Sequence, residues 1–237
     1  MALLSVLLFL IVGAATAASR GTEMTAFHVP WDPASLASFS GHHDRIDVLS
    51  PQWLLLSSAD GALTAVPDPS ADALLRGFTR TPKIVPLVAN VHDGVWDQAA
   101  AAAFIGDKAA RDRTVARLVA LAAEKHFSGY ILDLENLSDE SIAALPGFVR
   151  TLMVSFRAAK LELWLCVPVG PEIWPLAAMQ QAGAGLLFMA YDQCWDSSTP
   201  GPVAGIDWLA AVLPVRLRQL DRDKIIVALA GYGYDWP

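Results

Sequence analysis

Two carboxylates, Asp133 and Glu135, interrupt an otherwise apolar run at residues 127–137, FSGYILDLENL. Successive side chains of a β-strand point to opposite faces, so Ile131, Asp133 and Glu135 are predicted to share one face of a buried strand. A buried carboxylate is costly unless it is paired or its pKa shifts. Two acids on one buried face therefore indicate catalysis.

Aromatic and polar residues recur at the ends of other apolar runs. The members that we single out as candidate ligands of a substrate are Trp31, Asn90, Trp96, Asn136, Trp174, Tyr191, Asp192, Tyr232 and Trp236. Aromatic rings around a pair of carboxylates are typical of a sugar site, where the rings stack on pyranose faces and the acids act on the glycosidic bond. The alternative for any single tryptophan is that it packs between loops, because tryptophan is usually well buried.

Composition narrows the classes of ligand. The 237 residues carry a net charge of −7 and 54% of them are hydrophobic, with no cluster of Lys and Arg. Nucleic-acid binding depends on such clusters, so no nucleic-acid partner is expected. The histidines and the two cysteines, Cys166 and Cys194, have no metal-ligand spacing, and we expect neither a metal nor a cofactor. Both cysteines are interpreted as small buried side chains.

The N-terminal residues 1–18, MALLSVLLFLIVGAATAA, are apolar and end on the small-residue pattern of a signal peptidase site. No Lys or Arg precedes the apolar stretch, and its length approaches the roughly 20 residues that span a bilayer. A signal peptide, an uncleaved membrane anchor and a gene that lacks an upstream piece all remain open. We expect membrane contact through residues 2–18 only, and an extracytoplasmic domain at residues 24–237.

The elements that must position these side chains follow from the apolar periodicity. Seven strands are predicted at residues 25–29, 45–56, 83–90, 127–137, 161–169, 184–192 and 224–232. Helices are predicted at residues 34–39, 71–77, 107–126, 138–160 and 207–220, with Pro146 dividing the fourth into two pieces. A small hairpin is expected around Asp60-Gly61.

Apolar strands that alternate with helices predict an α/β fold with a parallel sheet, and seven such units favour a (β/α)₈ TIM barrel. A doubly wound sheet is the rival, but no glycine-rich phosphate loop follows the first strand. Only seven units are visible, so the barrel is expected to lack its eighth strand and to be incomplete at the C-terminus. In a barrel, the candidate residues above fall at the carboxyl ends of strands, where active sites are built.

Three segments carry a resemblance to a known family. Residues 128–135, SGYILDLE, resemble the DGxDxDxE signature of glycoside hydrolase family 18, the chitinase-like superfamily, on its fourth barrel strand. MAYD, at residues 189–192, resembles the MxYD of the sixth strand. GYGYDW, at residues 231–236, is similar to the end of the seventh strand in the spore-germination and cell-wall branch. The matches occur in the family's order and cover the chain from Met24 onward.

The resemblance implies a role for each matching residue. Glu135 corresponds to the general acid that protonates the leaving oxygen, and Asp133 to the carboxylate that orients the N-acetyl group of the substrate. Tyr191 corresponds to the hydroxyl that holds the acetamido carbonyl, and Asp192 and Met189 belong to the motif that fixes the same sugar. The substrate implied is a polysaccharide or oligosaccharide of β-1,4-linked N-acetylglucosamine: chitin, peptidoglycan or an exopolysaccharide.

Strand geometry supports this division of roles. Residues i and i+2 of one strand lie about 6.5 Å apart on the same side of a bound substrate. Asp133 therefore cannot act from the opposite face as the nucleophile or base of an ordinary glycosidase, and the acetamido group of the substrate must attack instead, with net retention.

The chain departs from the signature at two positions, where Ser128 and Ile131 replace acidic residues, and isoleucine neither donates nor accepts a hydrogen bond. A glycan-binding barrel without turnover therefore stays open beside the hydrolase, as does a fragment that does not fold alone.

Overall fold

The computed structural model describes residues 22–56, 60–170 and 173–236, so the predicted export segment lies outside the described residues. The strands are β1 (Thr25–His28), β2 (Val48–Pro51), β3 (Leu54–Leu56), β4 (Leu63–Ala65), β5 (Lys83–Ile84), β6 (Leu87–Ala89), β7 (Val91–His92), β8 (Val95–Trp96), β9 (Gly129–Asp133), β10 (Glu162–Pro168), β11 (Gly185–Met189) and β12 (Ile225–Ala228). The α-helices are α1 (Pro33–His42), α2 (Pro69–Gly77), α3 (Gln98–Gly106), α4 (Lys108–Lys125), α5 (Asp139–Ala158), α6 (Leu176–Ala182) and α7 (Ile206–Arg216).

Parallel strands follow one another in chain order around the sheet. β1 pairs with β2 and β2 with β5, while β3 pairs with β6, followed by β9, β10, β11 and β12. The second and third strand positions are each split in two at a proline, Pro51 and Pro86, because proline cannot donate to the strand ladder. Joined across these breaks, the pieces form the seven predicted strands. The α/β fold with a parallel sheet is confirmed.

Within the described ranges, β1 and β12 form no ladder with each other. The absence of an eighth strand stays a prediction. The hairpin expected around Asp60-Gly61 is present in part, because β4 pairs antiparallel with β3.

Alternation along the strands separates two apolar layers. Tyr130, Leu132 and Leu134 belong to the large core between the sheet and the helices. Ile131 belongs to a smaller cluster inside the curved sheet, together with Cys166 and other inward side chains. The predicted division of the residues of β9 between two faces is therefore confirmed, and it leaves Asp133 on the inner face.

The helices agree with the predictions except at three places, one of which is the short helix α6, where no helix was predicted. Asp107 caps α4, since its side chain accepts a hydrogen bond from the Ala110 N–H at 2.7 Å. α3 was not predicted, because its alanine-rich sequence has no amphipathic stripe. The predicted break at Pro146 is wrong: α5 continues through it. Burial of the apolar face of α5 against the sheet outweighs the single backbone hydrogen bond that proline removes.

A buried hydrogen-bond chain fixes the segment that carries Trp31. The ring of His28, 1% exposed, lies 2.8 Å through Nδ1 from Ser35 Oγ and 2.8 Å through Nε2 from Asp68 Oδ2. The same Asp68 oxygen accepts the Trp53 Nε1–H at 3.0 Å. Because its polar groups bond one another, this Ser-His-Asp chain ties β1 to α1 and α2.

No helix in the described ranges is both long enough and apolar enough to span a lipid bilayer.

Candidate active site

Asp133 and Glu135 line one cavity of about 670 Å³ at the carboxyl ends of the strands. Trp31, Trp96 and Tyr191 are among the other residues that line it. Two neighbouring cavities share parts of this set: one of about 460 Å³ adjoins Asp133, Tyr191 and Tyr232, and one of about 470 Å³ adjoins Glu135, Asn136, Trp174 and Met189. The structure thus brings together most of the predicted site residues, with Glu135 between two of the cavities.

Asp133 is held in an apolar environment. Its Oδ1 atom is buried and has no hydrogen-bond partner among the described residues. Burial raises the pKa of Asp133 to about 6, and the neighbouring Cys166 thiol opposes that rise. The carboxyl group is therefore poised to change its charge near neutral pH.

Tyr191 follows β11 and faces the same space. Burial, with smaller contributions from Cys166 and Asp133, raises the pKa of Tyr191 far above its usual range. The phenol consequently stays protonated at physiological pH and can donate a hydrogen bond to a ligand.

The backbone of Glu135 is fixed by the side chain of Asn90. Asn90 Oδ1 accepts the Glu135 N–H at 2.9 Å, and Asn90 Nδ2 donates to the Glu135 carbonyl at 2.9 Å. Nδ2 also donates to the Asp97 carbonyl at 3.0 Å. Asn90 was predicted to bind substrate, but it is fully buried, at 0% exposure, so the prediction of a direct sugar contact is wrong. Its amide instead positions the strand end that carries Glu135.

The chain between Asn90 and Asp97 forms the hairpin β7–β8, which borders the largest cavity through Val91, Asp93, Gly94 and Trp96. Positive φ angles of 49° at Asp93 and 77° at Gly94 build its tight turn. We did not predict this hairpin, although an Asp-Gly pair between two short β-prone segments, here Val91-His92 and Val95-Trp96, is a hairpin signal.

Asp192 organises the aromatic residues that follow β12. Its Oδ1 accepts the Tyr232 hydroxyl at 2.8 Å and the Tyr234 hydroxyl at 3.4 Å. The rings of Tyr191, Tyr232, Tyr234 and Trp236 follow one another edge to face, with centroids 6.0, 5.6 and 5.8 Å apart. Asp192 therefore holds the Tyr232 and Tyr234 rings in place through their hydroxyl groups. Trp236 packs on Tyr234 and lines none of the three cavities.

The remaining predicted site residues differ in how much of their surface is exposed to the cavities. Trp31 is 65% exposed at the rim of the largest cavity. Trp174 and Met189 pack partly against core clusters and present the rest of their surface to the cavity beside Glu135. Asn136 lies in the same cavity with a φ of 55°, a left-handed conformation that asparagine tolerates.

Cys166 was predicted only as a small buried side chain, which it is, but it also borders the cavities on both sides of the site. The two-residue repeat of a β-strand could have predicted this position, because Trp164 and Cys166 both face inward on β10. The repeat alone does not tell which residue of the neighbouring strand lies beside Cys166.

Comparison with known proteins gives related glycosylases, while no family model matches the chain. The chain is 23% identical over 229 residues to the uncharacterized glycosylase YvbX of Bacillus subtilis, covering 92% of this chain and 66% of that protein. It is 27% identical over 163 residues to the putative sporulation-specific glycosylase YdhD of the same organism, covering 65% of this chain and 39% of that protein. The chain thus spans less than two thirds of the length of these curated relatives.

Solved structures give the same fold. The chitinase of Chromobacterium violaceum superposes with a TM-score of 0.80 at 26% identity, over 91% of this chain and 70% of that one. The GH18 chitinase ChiB of Flavobacterium johnsoniae superposes with a TM-score of 0.69 at 15% identity, over 86% of this chain and 66% of that one. The Bacillus cereus spore cortex-lytic enzyme SleL has a TM-score of 0.74 at 17% identity, over 86% and 49% of the two chains.

Proposed function

We propose that this chain, whose fold is the chitinase-like fold of glycoside hydrolase family 18, hydrolyses β-1,4-linked N-acetylglucosamine polymers. The observation that carries the proposal is the convergence of Asp133, Glu135 and Tyr191 on one cavity with exposed aromatic surface at its rim. A polysaccharide outside the cytoplasm accords with the predicted export segment. Chitin, peptidoglycan and an exopolysaccharide are the candidate polymers.

The proposed reaction begins with proton transfer from Glu135 to the glycosidic oxygen. The acetamido oxygen of the substrate attacks the anomeric carbon, the bond to the leaving sugar breaks, and an oxazolinium ion forms. Asp133 accepts a hydrogen bond from the acetamido N–H, and the protonated Tyr191 hydroxyl donates to the acetamido carbonyl oxygen. Glu135, now ionised, then takes a proton from the water that opens the oxazolinium ring, which restores the acid and retains the anomeric configuration.

The state of Asp133 suits this sequence. Positive charge develops on the acetamido nitrogen as the ring forms, so an ionised carboxylate beside it stabilises the transition state. A pKa of about 6 leaves Asp133 mostly ionised at pH 7 and mostly protonated at pH 5. Activity is therefore expected to fall as the pH drops through about 6.

The decisive experiment compares wild type with Glu135→Gln on oligomers of N-acetylglucosamine, with product formation measured by release of reducing ends. Glu135→Gln is expected to lose turnover and to keep sugar binding by calorimetry. Glu140→Gln, an exposed carboxylate in the first turn of α5, is the matched control and is expected to turn over like wild type. Retained hydrolysis in Glu135→Gln contradicts the assignment.

Substrate assistance has a separate test. Glucosamine oligomers lack the acetyl group that attacks the anomeric carbon, so they are expected to resist cleavage. Proton NMR of the first product from the acetylated oligomer is expected to show the β-anomer. Cleavage of the deacetylated oligomer at a comparable rate contradicts the mechanism.

A glycan-binding barrel is the second candidate, and one observation favours it. Ile131, 1% exposed, gives Asp133 no polar neighbour on its own strand. Tight binding of the oligomers by wild type, with no reducing ends released at any pH between 4 and 8, would favour this function.

A further inference from the structure

The carboxyl group of Asp133 lacks support from its own strand. The inward residue two positions earlier is Ile131, which is apolar and buried. Asp133 Oδ1 is itself buried without a partner among the described residues. A carboxylate in such surroundings needs a donor from a neighbouring strand if it is to stay ionised and hold one orientation.

The neighbouring strand β10 provides such a donor at the matching position. Leu165 of β10 lies opposite Leu132 of β9 in the parallel register, so Cys166 lies level with Asp133. Both side chains point inward, and both line the cavity of about 460 Å³. Cys166 is 5% exposed, so water competes little for its thiol.

We propose that Cys166 is the positioning residue of Asp133, its thiol donating a hydrogen bond to the carboxylate where the middle position of the strand motif, Ile131, has no polar group. Only the effect of this hydrogen bond on catalysis rests on the proposed function. The thiol keeps the carboxylate turned inward and favours its ionised form, which is the form that the acetamido N–H requires.

The protonation state of the thiol fits this role. Burial, together with the negative charges of Asp133 and Glu135, raises the pKa of the Cys166 thiol. Cys166 therefore stays protonated at physiological pH and remains a donor. A thiolate there would instead repel the carboxylate.

Other polar groups also border Asp133, from its own segment and from neighbouring elements. Besides Cys166, the titratable side chains bordering its cavities are His28 on β1, Asp93 in the β7–β8 hairpin, Glu135 just after β9, Tyr191 after β11 and Tyr232 after β12. β2 and the residue after it contribute Ser50 and Gln52, which carry no charge. Ser50, whose Oγ is buried without a partner in the described part of the chain, is the rival donor that an experiment must separate from Cys166.

The test measures the protonation of Asp133 directly. Protein with ¹³C-labelled aspartate carboxyls is titrated by NMR, and Asp133 is assigned by the signal that disappears in Asp133→Asn. Cys166→Val keeps the shape without the donor and is expected to raise the pKa of Asp133 by about one unit, the size of a weak hydrogen bond to a charge. Cys166→Ser restores a donor and is expected to titrate close to wild type.

Controls make each outcome decisive. Cys194→Ala removes the other cysteine and is expected to leave the titration unchanged. An unchanged pKa in Cys166→Val overturns the proposal, as does a shift that appears only in Ser50→Ala. Cys166→Ala provides a second variant without a donor if the valine variant fails to fold by circular dichroism.

Kinetic measurements separate the proposed role of Cys166 from the proposed hydrolase function. In an active protein, the acid limb of the kcat profile in Cys166→Val is expected to move up in pH by the same amount as the NMR titration. If wild type cleaves none of the oligomers, the hydrolase proposal fails while the NMR titration still decides the role of Cys166.

Discussion

Replacing Asn90 tests how the structure positions Glu135, the proposed general acid. Its amide makes three hydrogen bonds, two to the backbone of Glu135 and one to the Asp97 carbonyl, at 2.9 to 3.0 Å. Asn90→Leu preserves the approximate volume and removes all three. Because Asn90 is 0% exposed, water cannot replace the lost partners without opening the loop.

The expected loss of stability follows from this count. A hydrogen bond contributes about 1 kcal/mol net, and a buried group left without a partner costs about 1–3 kcal/mol. Three such bonds give a decrease of about 3–4 kcal/mol in the free energy of unfolding. Asn90→Asp keeps the acceptor for the Glu135 N–H but turns a carboxylate toward two carbonyl oxygens, so it is expected to cost as much at pH 8 and less at pH 4.

The catalytic consequence is a loss in kcat with sugar affinity preserved. Asn90 does not contact the sugar, but a shift of about 1 Å in Glu135 is enough for a decrease of about 100-fold. Urea denaturation and steady-state kinetics measure the two effects. Thr151→Ala, which removes an exposed hydrogen bond within α5, is the control and is expected to stay within about 0.5 kcal/mol of wild type. A change below about 1 kcal/mol in Asn90→Leu with kcat unaltered refutes the reasoning.

Three further variants probe other contacts. Asp133→Asn is expected to stabilise the fold by about 3 kcal/mol at pH 8 and not at pH 3. The folded-state pKa of about 6 lies above the ordinary 3.8, so wild type loses stability as the pH rises between these two values. Equal denaturation midpoints of the two proteins at pH 8 contradict this prediction. Tyr130→Phe is expected to cost about 1–2 kcal/mol in urea denaturation, because the buried hydroxyl donates to the Leu118 carbonyl at 2.6 Å. Gly129→Ala is expected to cost about 3 kcal/mol in a melting experiment, because a β-carbon there would clash with the Glu162 carbonyl oxygen.

The strands and the inward face were predictable because both depend on local periodicity. Ile131 and Asp133 share a face by the two-residue repeat alone, whatever surrounds them.

The ties between distant segments were not predictable from the sequence. Asn90 and Glu135 are 45 positions apart, and only the packing of their strands decides that the amide meets the backbone and not a sugar. The position of Cys166 beside Asp133 likewise depends on the register between β9 and β10, which a single sequence does not specify. Pro146 failed as a helix break because local preference yields to a large buried face.

Asn90 closes the base of the hairpin β7–β8. The Asn90 carbonyl accepts the Asp97 N–H at 2.6 Å, and its side chain donates to the Asp97 carbonyl at 3.0 Å. The six residues between them, ending at Trp96, therefore form a cassette whose ends are fixed independently of its contents. Libraries of exchanged hairpins, with Asn90 and Asp97 kept constant, offer a route to new polymer preferences that leaves the acid in place.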